Sequence, residues 1–188
     1  MSYEQANSNI SEFDTKNDRI SNLMKTVERV YLNNDLSLFG QIYTRCFEIC
    51  QSSRGAELYS SLIKILQNIV NNIHKSLLEH MNSPLLLNKL VDEYKLYKNK
   101  SINIADGFLY LDKQKSKIGG NQILMVLDLC LSIFLENIVT NSTLRPNIMQ
   151  YFIQGLYNNQ SNEKSQMEIL KDLVGIFVRI YNIKAVLG

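Results

Sequence analysis

Two prolines and eight glycines are few for 188 residues, and no stretch alternates apolar and polar side chains at period two. Without that alternation a half-buried strand has no pattern to form on, so a β-rich fold is excluded and an all-α fold is expected. Only two histidines are present, His74 and His80, six apart in what reads as one helix, so they do not share a face as a metal-binding i, i+4 pair would. The three cysteines, Cys46, Cys50 and Cys130, form no even set and all lie inside apolar helical patterns, which argues against a disulfide framework. Lys and Arg together number 20 against 18 Asp and Glu. With charge so nearly balanced there is no electrostatic case for binding nucleic acid or an anionic membrane. No apolar run reaches 18 residues and the polar first 20 residues hold no signal-peptide core, so neither a membrane span nor secretion is expected. A soluble protein of a reducing compartment, cytoplasm or nucleus, follows, and the Asn-x-Ser/Thr triplets at Asn9, Asn99, Asn141 and Asn159 read as products of an Asn-rich composition.

Chemistry is sparse as well. There is no glycine-rich phosphate loop, no paired-carboxylate motif and no nucleophile elbow. Cys46 and Cys50 stand i, i+4, but two thiols without further ligands read better as small buried residues than as a metal site. No catalytic residue, cofactor or metal is expected, and the function is sought in surfaces that recognise other proteins.

What the chain has is helical periodicity. Residues 1–16 read as a disordered lead. A first helix carries Ile20, Leu23, Met24, Val27, Val30 and Tyr31, and Asn33-Asn34-Asp35 ends it and caps the next. In the second helix, Asp35 to Ser52, seven apolar residues fall within twelve positions, a set wider than the ~100° stripe one buried face needs. Phe39, Tyr43, Phe47 and Cys50 make one ridge, and Ile42, Cys46 and Ile49 make another. Either the helix is buried all round, or one ridge packs inward and the other is left for a partner. After a turn at 51–55, a long third helix carries Leu58, Leu62, Ile65, Leu66, Ile69, Ile73 and Leu77. Ser83 and Pro84 suit the N-cap and first position of a fourth helix with Leu86, Leu87, Leu90, Val91, Tyr94 and Tyr97 inside. Lys98-Asn99-Lys100 reads as a polar break before a fifth helix, Ser101 to Lys115. There Ile104, Phe108 and Leu111 form a core ridge, and Asp106, Tyr110 and Lys113 lie on another side. Ile118-Gly119-Gly120 marks a boundary. Three further helices are expected at Ile123–Val139, from Pro146 to about Tyr157, and at Glu163–Leu187, the last with Met167, Leu170, Val174, Phe177, Val178 and Tyr181 as its stripe. Its pattern runs on to Gly188, which suggests a piece of a longer helical array.

The segments Leu-Phe-Gly-Gln-Ile-Tyr-Thr-Arg-Cys-Phe-Glu-Ile-Cys (38–50) and Gly-Ala-Glu-Leu-Tyr-Ser-Ser-Leu (55–62) resemble the start of the cullin amino-terminal domain. Asp-Gly-Phe-Leu-Tyr-Leu-Asp-Lys (106–113) is similar to the cullin fifth-helix motif, although Lys115 stands where an aromatic is usual, and Leu170 to Gly188 is similar to the opening of the next stretch. The resemblance implies an α-solenoid-like stalk, with 17–117 as a first five-helix cullin repeat and 118–188 beginning a second. It implies a non-catalytic scaffold of a cullin–RING ubiquitin ligase that holds an adaptor, Skp1-type or BTB-fold, through helices two and five. The matching positions are Phe39, Ile42, Tyr43 and Phe47 on helix two and Tyr110 and Lys113 on helix five, with Leu38 and Cys46 at the edge. A carboxy-terminal half that would hold the RING protein and the lysine modified by a ubiquitin-like protein has no counterpart in these residues, so ubiquitin transfer is not expected of this chain alone. A helical tether of another multiprotein complex is the alternative.

Overall fold

The computed structural model describes residues 19–33, 35–118, 123–158 and 164–187, and among them there is no strand. The expected disordered lead, the break at Asn34, the boundary at Gly119-Gly120 and the loop near 159–162 lie outside the described residues. The helices are α1 (19–33), α2 (Phe39–Gln51), α3 (Gly55–Leu78), α4 (Leu86–Gly107), α5 (Leu109–Lys113), α6 (Lys115–Ile118), α7 (Val126–Phe134), α8 (Arg145–Asn158) and α9 (Lys164–Leu187). Two compact units arise: Met1–Ile65 with Ile102–Val126, and Leu66–Ser101 with Leu127–Gly188. Thus α3 and α4 each give part of their length to both.

In the first unit every apolar residue expected to face inward on α1 is buried, from Ile20 to Tyr31. A short 3-10 turn, Leu36–Leu38, leads into α2. Asp35 accepts the Ser37 N–H at 3.2 Å and so caps that turn, whereas Leu38, the residue before α2, gives no side-chain cap. The cap therefore falls at Asp35, within the stretch the sequence suggests, with the 3-10 turn standing between it and α2. α2 ends in a closed motif: the Arg54 N–H reaches the Ile49 carbonyl (3.3 Å) and the Ser53 N–H reaches Cys50 (3.1 Å). Ser53 holds the left-handed conformation this stop requires, with φ of 60°. A side chain in that region costs about 1 kcal/mol that glycine does not. Ser53→Gly is accordingly expected to raise stability by up to about 1 kcal/mol, read as a higher urea midpoint at unchanged slope; no gain would mean that the Ser53 side chain earns its strain through a local contact. Just beyond, Arg54 grips Glu57 with two bonds of 2.7 and 2.6 Å and holds that carboxyl below its ordinary range.

The polar triplet 98–100 does not break the chain; α4 runs through it to Gly107. Lys100 is buried, and burial pushes its ammonium below the usual lysine range, while the Ser101 hydroxyl donates to the Tyr97 carbonyl at 2.8 Å. A long-stemmed lysine and a serine bonded back to the previous turn are both compatible with helix, so polarity alone was a false stop. The real break falls at Phe108, and α5 begins after it.

The second unit is built around α7, whose Phe134 is completely enclosed. Tyr94 lies edge-on to it at 5.5 Å and Tyr97 tilted at 5.1 Å, and the Tyr97 hydroxyl donates to the Cys130 carbonyl at 3.0 Å. Leu135–Val139 continues α7 as a wider π turn. There the Asn137 side chain donates to the Ile133 carbonyl at 2.8 Å, four residues back, where the ladder changes pitch. Ser83 caps the approach to α4 by accepting the Leu85 N–H (3.2 Å), as its sequence position suggests. On α9 the expected stripe needs correction: Leu170, Leu173 and Ile176 are buried, Met167, Val174 and Val178 are exposed, and the Tyr181 side chain lies outside the description. α9 is apolar on two sides, and periodicity does not say which side packs.

Candidate functional site

α2 divides its apolar residues between two environments. Ile42, Cys46, Ile49 and Cys50 are buried, while Phe39, Tyr43 and Phe47, spaced by four, retain 43%, 38% and 40% of their surface in solvent. The inner residues are clamped from both flanks. On one side the Arg45 guanidinium donates to the Thr26 hydroxyl of α1 at 3.1 Å. On the other, Gly107 at the end of α4 lets the backbone close on Ile42: a Cβ there would come within 2.7 Å of the Ile42 Cγ2. α2 is thus not buried all round. Its outer ridge is presented by a helix that the rest of the unit holds in place.

α5 packs beside the far end of that ridge. Tyr110 meets Phe47 edge-to-face, with centroids 4.8 Å apart and planes at 69°. Gln51, the last residue of α2, donates its amide to the Tyr110 hydroxyl at 2.8 Å. Leu111 on the same short helix is buried, and Lys113 is exposed.

Phe39, Tyr43, Phe47, Tyr110 and Lys113 therefore share one side of the unit with some surface free. Leu38, Ile42 and Cys46 are placed inside, at 6%, 1% and 0% exposure, where they support the ridge and have no surface to offer a partner. Cys46 and Cys50 hydrogen-bond to each other, which pushes the Cys46 thiol up and the Cys50 thiol down. Both are free thiols, and their burial matches their reading as small core residues. Gln51 is the residue sequence reasoning passed over. It continues the spacing of four after Phe39, Tyr43 and Phe47, but it is polar, so the ridge was ended on apolar Cys50 instead.

Elsewhere the His80 Nδ1 lies 3.1 Å from the Ser76 carbonyl. Among the described residues no three His, Cys, Asp or Glu side chains gather as a metal site would need, and no helix is long and apolar enough to cross a membrane.

The fold and this site define an all-helical module with a rigidly mounted aromatic face. The sequence profile of the cullin alpha solenoid domain matches residues 12–185, and the chain belongs to the cullin family. It is similar to Cullin-3 of Dictyostelium discoideum, 23% identical over 158 residues, which cover 83% of this chain and 20% of that protein. The chain spans about a fifth of the length of that relative. The helical solenoid fold and the family agree with the resemblance carried by the motifs at 38–50, 55–62 and 106–113, and together they support a cullin-type scaffold.

Proposed function

We propose that this chain is the amino-terminal stalk of a cullin–RING ubiquitin ligase scaffold, non-catalytic itself, and that it binds a substrate-receptor adaptor of Skp1 type or BTB fold. Residues 17–117 act as the first cullin repeat and 118–188 open the second. The observation that carries the reading is the outer ridge of α2: three large aromatics with about two fifths of their surface exposed, on a helix whose inner ridge is fully engaged. Aromatic anchors on a pre-ordered backbone lose little freedom on binding, and such residues dominate interface energies. Tyr110 and Lys113 extend the face onto α5 and supply a polar rim. Leu38, Ile42 and Cys46 contribute by holding the ridge in place.

The test is binding of the purified chain to a panel of Skp1-type and BTB-fold adaptors from the same organism, repeated with Tyr43→Ala. One adaptor is expected to bind, and the variant to weaken it at least tenfold, about 1.4 kcal/mol. Absence of binding by the folded chain would overturn the adaptor reading and favour a tether in another complex. Binding indifferent to Tyr43 would move the interface off α2.

A further inference from the structure

We infer that the second unit carries a binding site of its own, a cleft between the start of α4, the second half of α8 and the start of α9. It takes one large apolar side chain of an uncharged peptide segment of a partner protein, and it holds the flanking peptide units through the Asn88 and Gln154 side-chain amides. Its residues belong to that unit alone, so it stands or falls separately from the α2 ridge.

The cleft has a volume of about 250 Å³. Leu87 and Leu170, both buried, make its floor, with Ile169 half-buried beside them and Pro84 exposed at the entrance. Gly155 keeps it open. α8 meets α9 there, where a Cβ would come within 3.3 Å of the Leu170 Cδ2, and no side chain projects from this position into the space beside it. The three walls are braced against one another. The Asn147 amide of α8 donates to the Met81 carbonyl at 3.1 Å, tying the turn that precedes α4 to α8. Ser83 accepts the Leu85 N–H at 3.2 Å and so fixes the turn on which Pro84 stands. Phe152 of α8 meets Phe177 of α9 edge-to-face at 5.5 Å. A cleft held in this way from within its own unit has little freedom to lose when a ligand enters.

Size and charge select the ligand. Pockets that enclose cofactors or drug-sized molecules run from ~300 to 1,000 Å³, and a smaller one suits a single leucine- or phenylalanine-sized group. The chain carries 20 basic and 18 acidic residues, yet none of them lines the cleft. A charged group would shed its water there with no counter-charge to meet it, which excludes charged side chains. The rim offers instead Asn88 and Gln154, exposed on two different helices, and the half-buried Tyr151 hydroxyl. Among the described residues, none of these three side chains is engaged in a hydrogen bond within the protein. A side-chain amide presents an acceptor beside a donor, the complement of a peptide N–H and C=O. An uncharged apolar floor under two such amides therefore matches a neutral peptide with one apolar side chain better than a bare hydrocarbon, which would cover the amides without bonding them.

The experiment uses the full chain with labelled leucine and isoleucine methyl groups and follows Leu87, Ile169 and Leu170 by NMR. The probes are short alanine peptides, acetylated and amidated, with Leu, Phe, Lys or Asp at the centre. The Leu and Phe peptides are expected to shift those methyl signals saturably, with dissociation constants of about 1 mM or tighter, and the Lys and Asp peptides to bind at least tenfold more weakly. Asn88→Ala and Gln154→Ala are each expected to weaken the apolar peptides about threefold or more. Both positions are exposed, and methyl signals elsewhere in the chain serve as the folding control. The absence of a saturable shift with either apolar peptide overturns the inference, as does equal binding of the Leu and Lys peptides. Binding that ignores both alanine substitutions reduces the cleft to a hole for any small hydrocarbon group and overturns the assignment of a peptide. None of these outcomes bears on the docking reading of the α2 ridge.

Discussion

Phe134→Ala is expected to destabilise the second unit by ~3–5 kcal/mol, the range for removing a buried aromatic that its neighbours cannot close over. Three features put this site at the upper end. Phe134 has no exposed surface, so the whole transfer free energy of the ring is lost. Its two aromatic neighbours are themselves fixed: Tyr97 is anchored through its hydroxyl to the Cys130 carbonyl, one turn back on α7, and Tyr94 is buried. They cannot fold into the void without breaking that bond or leaving the edge-on geometry, itself worth about 1 kcal/mol. The ring also stands where α7 passes into its π turn, so slackening there would loosen Leu135, Ile138 and Val139, all buried. Urea unfolding followed by circular dichroism measures the effect, with a midpoint shift of ~1.5–2.5 M for a slope of about 2 kcal/mol/M. Should the alanine variant fail to fold, Phe134→Leu, which keeps most of the volume, is expected to cost about 1–2 kcal/mol. A loss below about 1 kcal/mol for alanine would show that the ring is not the centre of the unit.

The contrast between what periodicity told and what it concealed follows from what periodicity measures. It locates apolar sides of helices, and for α1 and the first half of α4 there was only one such side, so the buried residues could be named in advance, whereas on α3 Ile65 and Ile73 are only half-buried and the unnamed Val70 is buried. α2 and α9 are apolar on two sides. For α2 the resemblance at 38–50 pointed to the outer ridge, yet Leu38, Ile42 and Cys46 were grouped with it because family position does not distinguish a residue that meets the partner from one that backs it. The likeness at Leu170 to Gly188 singled out no side of α9, and Leu173 and Ile176 went unnamed. The continuity of α4 was hidden for another reason. A Lys-Asn-Lys triplet looks like a solvated break, and only the tertiary setting shows that Lys100 lies buried. Gln51 was illegible because its role is a single hydrogen bond across 59 positions of chain, which no local pattern encodes.

Replacing Phe39, Tyr43 and Phe47 together with alanine is expected to leave the chain folded and to weaken adaptor binding by at least a hundredfold. The two halves of that expectation depend on different surfaces. In the free chain each ring is already about two fifths exposed, so truncation gives up only part of a buried side chain's worth, and the Phe47–Tyr110 contact adds about 1 kcal/mol. Against this, alanine is the better helix former by roughly 0.5 kcal/mol at each position. The net change is a small loss, at most ~2–3 kcal/mol. In a complex the same rings would be wholly covered, and each anchor of this kind carries ~1–3 kcal/mol, less than additively. Loss of binding by a variant that remains folded is the signature of a docking face. The reverse result, a variant that unfolds several molar earlier in urea or binds undiminished, would identify the ridge as the outer wall of the core and withdraw the adaptor reading with it.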